Sequence, residues 1–217
     1  MRRTCVAVLL LLSSAMLHGE GAARSQAPAM GAPAGTTAGR GVWNPQPGAG
    51  AVYQVAPKSG SRQQVEYAIV GEEDVHGEKG HWLEAAITEK GRGTTIVKSL
   101  IVRAGNEIVT QRLIVQARNE NPVELHVSRG PGSTAYQPAD MRAQAERVGR
   151  ETIQVPGGSF ESTRYRMKDG TGDYWLSDDV PPYNLVKAVT RDATITLLRR
   201  TKDAKSRITG TPEKLSP

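Results

Sequence analysis

From Ala51 onward, apolar and polar residues alternate with a period of two through most of the chain, the pattern of strands that bury one side. Val65, Tyr67 and Ile69 share one face of a first strand; Leu83, Ala85 and Ile87 share a face of the next, with Trp82, Glu84 and Ala86 opposite. Two further strands are read at 96–102 and 108–117, the second placing Val109, Leu113 and Val115 on one side and Thr110, Arg112 and Gln116 on the other. A short strand follows at 123–127, and 183–190 and 193–199 close the series.

Turn chemistry punctuates these runs. Ala104-Gly105-Asn106 separates two strands, and Pro156-Gly157-Gly158 joins a fixed φ to two residues that accept positive φ. Asp169-Gly170-Thr171-Gly172 is a hairpin signal, and Pro181-Pro182 ends a strand. Only 138–148 has helical spacing, with Met141, Ala145 and Val148 on one stripe and Gly149 as terminator. Roughly ten strands joined by short turns predict a mainly β fold, a single curved antiparallel sheet forming a half-barrel, with one short helix over part of its concave face. Because one helix and one phenylalanine are little cover for so many apolar positions, the concave face is expected to leave room for a ligand.

The N-terminus changes the setting. Met1-Arg2-Arg3-Thr4-Cys5 is basic, an apolar run and small residues follow, and this is the layout of a signal peptide with cleavage expected near Ala23. That run falls short of the roughly 20 residues a membrane span needs, and no later segment reaches them. No transmembrane anchor is expected in the mature chain, which is placed in the periplasm or the secreted fraction of a bacterium. Cys5, the only cysteine, precedes the apolar core and would leave with it, so no disulfide or thiol chemistry is expected. Residues 24–50, rich in Ala, Gly and Pro, read as a flexible linker whose Val42-Trp43 pair docks at the domain edge; 51–201 form the β-rich domain and 202–217 a fraying tail. Without the signal peptide the 28 basic and 22 acidic residues become 26 and 21, with signs alternating along the strands, so a nucleic-acid partner is not expected.

Little in the chain announces a reaction. The run from Glu72 to His81 gathers carboxylates and two histidines without a metal-ligand spacing, and it reads as a solvated hairpin. Asp169, Asp173, Asp178 and Asp179 lack the order of a calcium loop. There is no nucleophile elbow and no phosphate or dinucleotide fingerprint; a hydrolase would need His76, His81 or His126, or a carboxylate pair, to converge in a cleft. Neither a cofactor nor an enzyme activity is expected.

The stretches 155–160 (V-P-G-G-S-F), 174–177 (Y-W-L-S) and 180–187 (V-P-P-Y-N-L-V-K) resemble a pattern in exported bacterial proteins of unknown function that look like the LolA/LolB lipoprotein-carrier superfamily. The resemblance implies an incomplete barrel whose concave face accepts acyl chains. Those carriers close the cavity with several helices where this chain offers one, and no gating residue of theirs maps onto a position here. The expectation is therefore a non-enzymatic carrier for an apolar ligand or lipidated partner, with Tyr67, Trp82, Phe160 and Trp175 as cavity walls. The alternative is an envelope interaction module with a packed sheet.

Overall fold

The computed structural model describes residues 43–128, 136–138 and 141–214. The expected signal peptide, its expected cleavage site and most of the expected linker lie outside them. Thirteen strands form one sheet: β1 Gly50–Pro57, β2 Gln63–Val75, β3 Glu78–Glu89, β4 Gly93–Ala104, β5 Glu107–Gln116, β6 Val123–Leu125, β7 Tyr136–Pro138, β8 Ala145–Val155, β9 Gly158–Met167, β10 Gly172–Leu176, β11 Leu185–Thr190, β12 Ala193–Thr201 and β13 Glu213–Lys214. Their order is β13-β6-β5-β4-β3-β2-β1-β12-β11-β10-β9-β8, with β7 on β5. Every pairing is antiparallel except that of β13 with β6. The fold is mainly β, a large curved antiparallel sheet, as the alternation implied. Curvature brings the β8–β9 tip onto β12, where the Gly157 amide donates to the Leu197 carbonyl at 3.1 Å. A side chain at Gly157 would meet Leu197 Cγ at 2.9 Å, so this contact needs glycine.

Turn residues set the hairpins. The β2–β3 turn is His76-Gly77, both at positive φ (55° and 83°), the two-residue turn whose twist suits flanking strands. The Asp74 carboxylate accepts the Gly77 amide at 3.0 Å. The run from Glu72 to His81 is thus mostly strand with a minimal turn, longer in β structure than expected.

Two expectations are corrected. The described residues of the stretch 138–148 form no α-helix. A 3-10 turn at Met141–Gln144 leads directly into β8, which pairs with β9 from Ala145 to Val155. Val148 is the extra residue of a bulge in that pairing and is 50% exposed, so the stripe it shared with Ala145 never forms. In β5, partners of Leu100 and Ile101 are Arg112 and Thr110, which leaves Gln111 bulged and reverses the alternation. Ile108, not Val109, therefore joins Leu113 and Val115 in the main core.

That core lies along one side of the sheet and gathers Ala51, Tyr53 and Val55 of β1, Val65, Tyr67 and Ile69 of β2, Leu83 and Ala85 of β3, and Ile195 and Leu197 of β12. It continues through Phe160, Met167, Tyr174, Leu176 and the 180–188 segment. A smaller cluster of Trp82, Leu100 and Ile114 occupies the other side. The cover expected from a helix comes instead from the curled β8–β9 hairpin, the 177–184 loop and Trp43.

Candidate functional site

Five rings line up on the main-core side. Tyr53 and Tyr67 have centroids 6.2 Å apart, Tyr67 and Tyr183 meet edge to face at 5.3 Å, Trp43 lies 5.6 Å from Tyr183, and His81 is 6.3 Å from Trp43. Adjacent strands supply Tyr53, Tyr67 and His81, while Tyr183 comes from the loop before β11. The Asn44 amide donates to Pro182 O at 2.8 Å, and its side-chain Nδ2 donates to Asp178 O and Asn184 Oδ1 at 3.2 and 2.9 Å. Asn184, at φ 55°, donates in turn to Asp178 Oδ1 at 2.8 Å. These bonds hold the Trp43-Asn44 segment across the ring row. The Tyr53 hydroxyl donates to Leu185 O at 2.8 Å. Burial first, and the neighbouring Tyr183 second, push the Tyr53 and Tyr67 phenols far above their ordinary value, so both stay protonated.

His81 is the imidazole of this row. Its Nδ1 makes no hydrogen bond among the described residues, and the nearest carboxylate oxygen, Glu72 Oε1, is 3.4 Å away. Burial lowers its pKa below the ordinary 6.5, Glu72 opposes that shift and Lys79 adds to it. A histidine whose folded-state pKa is depressed binds protons more readily when unfolded, so stability is full above about pH 6.5 and is lost as the pH falls towards the depressed value. Urea midpoints measured from pH 8 to pH 5 should fall in the wild type and fall less in His81→Phe. Parallel curves for the two proteins would show that His81 does not set this dependence.

The opposite side of β2–β5 is built differently. Lys98 Nζ and the Arg112 guanidinium lie over the Trp82 ring at 4.8 and 5.1 Å, and Trp82 Nε1 donates to Glu73 Oε2 at 3.0 Å. Arg112 donates to both oxygens of Glu124 at 2.8 and 3.3 Å; this bond raises the arginine's pKa and lowers the glutamate's. Two carboxylates are buried here, Glu66 at 6% and Glu84 at 4% exposed. Both hold the segment after β12, which had been expected to fray. Glu84 accepts the Ser206 hydroxyl at 2.9 Å and the Arg207 amide at 3.1 Å, and Glu66 accepts the Thr201 hydroxyl at 2.9 Å and the Arg207 guanidinium.

The four residues read from sequence as cavity walls are divided by the sheet. Tyr67 and Phe160, each 5% exposed, sit in the main core, with the Arg200 guanidinium 5.5 Å from the Phe160 ring centre. Trp82 belongs to the small cluster on the other side. Trp175, between core residues Tyr174 and Leu176, turns away from the core: Arg164 and Lys187 flank its ring at 5.1 and 5.3 Å, and Nε1 donates to Glu151 at 2.7 Å. Sequence reasoning passed over Tyr53, Tyr183, Glu66 and Glu84. The signal for the carboxylates was present: each is a lone charge inside an apolar strand run. Among the described residues the other two histidines stand apart from the ring row, His76 in the β2–β3 turn and His126 exposed after β6. Among the described residues no cluster of three metal-ligating side chains occurs, and no helix is long and apolar enough to cross a membrane.

No family profile and no curated protein matches the chain. Solved structures do, at low identity. A lipoprotein candidate from Parabacteroides distasonis is 14% identical with TM-score 0.39, over 75% of this chain and 99% of that one. A candidate exported protein with a YmcC-like fold from Bacteroides fragilis is 12% identical with TM-score 0.38, over 75% and 100%. MucB, crystallised in complex with MucA(peri), is 12% identical with TM-score 0.39, over 80% of this chain and 55% of that one.

Proposed function

We propose that the protein is a non-enzymatic interaction module of the bacterial cell envelope, which binds a partner protein on the surface of its curved sheet. The observation that carries this reading is the closure of the main core by the chain's own rings. Tyr53, Tyr67, Phe160, Tyr174 and Tyr183 are all 5% exposed or less, so these large apolar surfaces are already out of water. Removing apolar surface from water supplies about 25 cal/mol per Å², and a guest gains this only from surface that its binding newly covers. Recognition then falls to the polar, charge-studded faces and to the strands at the ends of the sheet.

A specific observation favours a second reading, a carrier for an acyl chain. The ring row is roofed by Trp43, a half-buried residue of the expected linker, and lifting it would uncover Tyr183 and His81. One pair of measurements separates the two. Photo-crosslinking amino acids placed at exposed sheet positions in envelope-located protein should trap a defined protein. Native mass spectrometry of wild type and Trp43→Ala with added palmitate should show the bare chain in both. Palmitate retained by the wild type, without protein crosslinks, would overturn the module reading in favour of the carrier.

A further inference from the structure

The segment from Asp203 to Lys214 does not merely lie on the sheet; it crosses the strands in order, and nearly every strand it passes holds it by a different group. Glu66 of β2 takes the Arg207 guanidinium. Glu84 of β3 takes the Arg207 amide and the Ser206 hydroxyl. Lys98 of β4 donates to Ser206 Oγ at 3.2 Å. Gln116 of β5 reads Thr209 completely: its Oε1 accepts the Thr209 amide at 3.1 Å, and its Nε2 donates to the Thr209 carbonyl and hydroxyl, both at 3.2 Å. Ile208, between them, packs on Trp82, Leu100 and Ile114. Beyond, the Glu213 amide donates to Pro122 O at 2.9 Å and β13 adds in parallel to β6.

This division of labour is that of a peptide-binding groove. Main-chain groups at 207 and 209, two residues apart, are satisfied by side chains rather than by a neighbouring strand, so any extended backbone fits those positions. Side-chain selection comes from elsewhere: a carboxylate buried to 6% exposure for a guanidinium, a hydroxyl between Glu84 and Lys98, and an apolar patch for a branched aliphatic side chain. Buried carboxylates are costly to maintain unless a cation or donors meet them; Lys98 stands opposite Glu84 in the ladder, and among the described residues the hydrogen-bond donors to both carboxylates come from one short segment or its anchor Thr201.

We propose that the outer face of β2–β6 is a recognition groove for an extended segment of a partner protein with the pattern hydroxyl–arginine–branched aliphatic–hydroxyl, and that Ser206-Arg207-Ile208-Thr209 occupies it in cis as a competitor. This rests on the reading of the protein as an interaction module and names its site. A tethered occupant enjoys a local concentration in the millimolar range, so the intact chain reports its own tail and an outside segment gains access only by displacing it.

The test uses the full chain. In Arg207→Ala/Ile208→Ala the tail is weakened in place, and binding of a fluorescent peptide spanning residues 203–214 is followed by anisotropy. Binding is expected at least about 10-fold tighter than to the wild type, whose groove is filled. It should be lost when Glu66→Gln and Glu84→Gln are added to that chain, or when arginine in the peptide becomes alanine. A second peptide, with Ser-Arg-Ile-Thr set in unrelated flanks, should bind the same variant. If the double variant is misfolded by circular dichroism, Ile208→Ala alone serves in its place. A folded variant that binds neither peptide overturns the groove, as does binding indifferent to the arginine. Binding of the native tail alone overturns the partner form, since only exchange between copies of this chain would then remain. Protein crosslinks without peptide binding would refute the groove and leave the module reading standing, whereas palmitate retention with neither crosslinks nor peptide binding would overturn both.

Discussion

Tyr53→Ala should cost about 3–5 kcal/mol of folding free energy, the range for truncating a large buried aromatic ring, whereas Tyr53→Phe should cost only about 0.5–1.5 kcal/mol, the net worth of one hydrogen bond. Tyr53 is 1% exposed, touches the Tyr67 ring, and sends its hydroxyl to Leu185 O across the molecule. It thereby joins β1 to the first residue of β11, a strand that pairs with β12 only from Lys187. In a domain of this size, roughly 2–4 °C of melting temperature is lost per kcal/mol, so the alanine variant should melt about 6–20 °C below the wild type. The phenylalanine variant separates two causes. If it melts nearly as low as alanine, the phenol bond rather than the packing of the ring row holds β11 in place; if both variants melt like the wild type, the row is not the keystone of the core.

The strands were legible because one-sided burial leaves a period-two trace that survives any detail of the tertiary fold. Val65, Tyr67 and Ile69 entered one core as a set, and Leu83 and Ala85 joined them across the β2–β3 ladder. The turns at Gly105, Gly158 and Gly170 were legible for the same reason, since each takes a positive φ that glycine supplies locally. Illegible were events decided between strands. One extra residue at Gln111 exchanged Ile108 for Val109, and nothing local to β5 marks that bulge, because its cause is the fit to β4. The stripe of Met141, Ala145 and Val148 suits a helix as well as a bulged edge strand, and the pairing of β8 with β9 chose the strand.

The candidate site was less legible still. Trp82 and Trp175 are aromatic residues in strands, as Tyr67 and Phe160 are, yet neither joins the main core. Each has cations over its ring and a glutamate at its indole nitrogen, partners supplied by neighbouring strands. Glu66 and Glu84 are lone charges within apolar runs, but the residue that explains them, Arg207, lies more than a hundred positions away in a stretch whose polarity reads as a frayed end. The expected helical cover was wanting for a related reason: rings from distant loops, Trp43 and Tyr183, did the covering.

That long-range dependence makes the grip on the tail the second large effect to expect. Glu84→Ala removes the acceptor for both the Ser206 hydroxyl and the Arg207 amide, charge-assisted bonds worth about 1.5–3 kcal/mol, while leaving the sheet ladder intact. At 1.4 kcal/mol per decade, hydrogen exchange at the Arg207 amide should accelerate about 10- to 150-fold, with the β2–β3 ladder amides unchanged. Ile208 packs on the Trp82 cluster, so indole emission should move to longer wavelength as the segment lifts. Lys98 supplies an independent readout. Burial lowers its pKa and Glu84, its cross-strand partner in register, raises it, so removing that carboxylate should lower the lysine further. Glu84→Gln keeps an acceptor oxygen and should fall between the two in exchange while matching alanine at Lys98. Glu66→Ala combined with Glu84→Ala should exceed neither single effect by simple addition, because both carboxylates act on the one residue Arg207. Unchanged exchange at Arg207 in Glu84→Ala would mean that the segment is held by Gln116 and the β13–β6 pairing alone, and the carboxylates would then need another explanation for their burial.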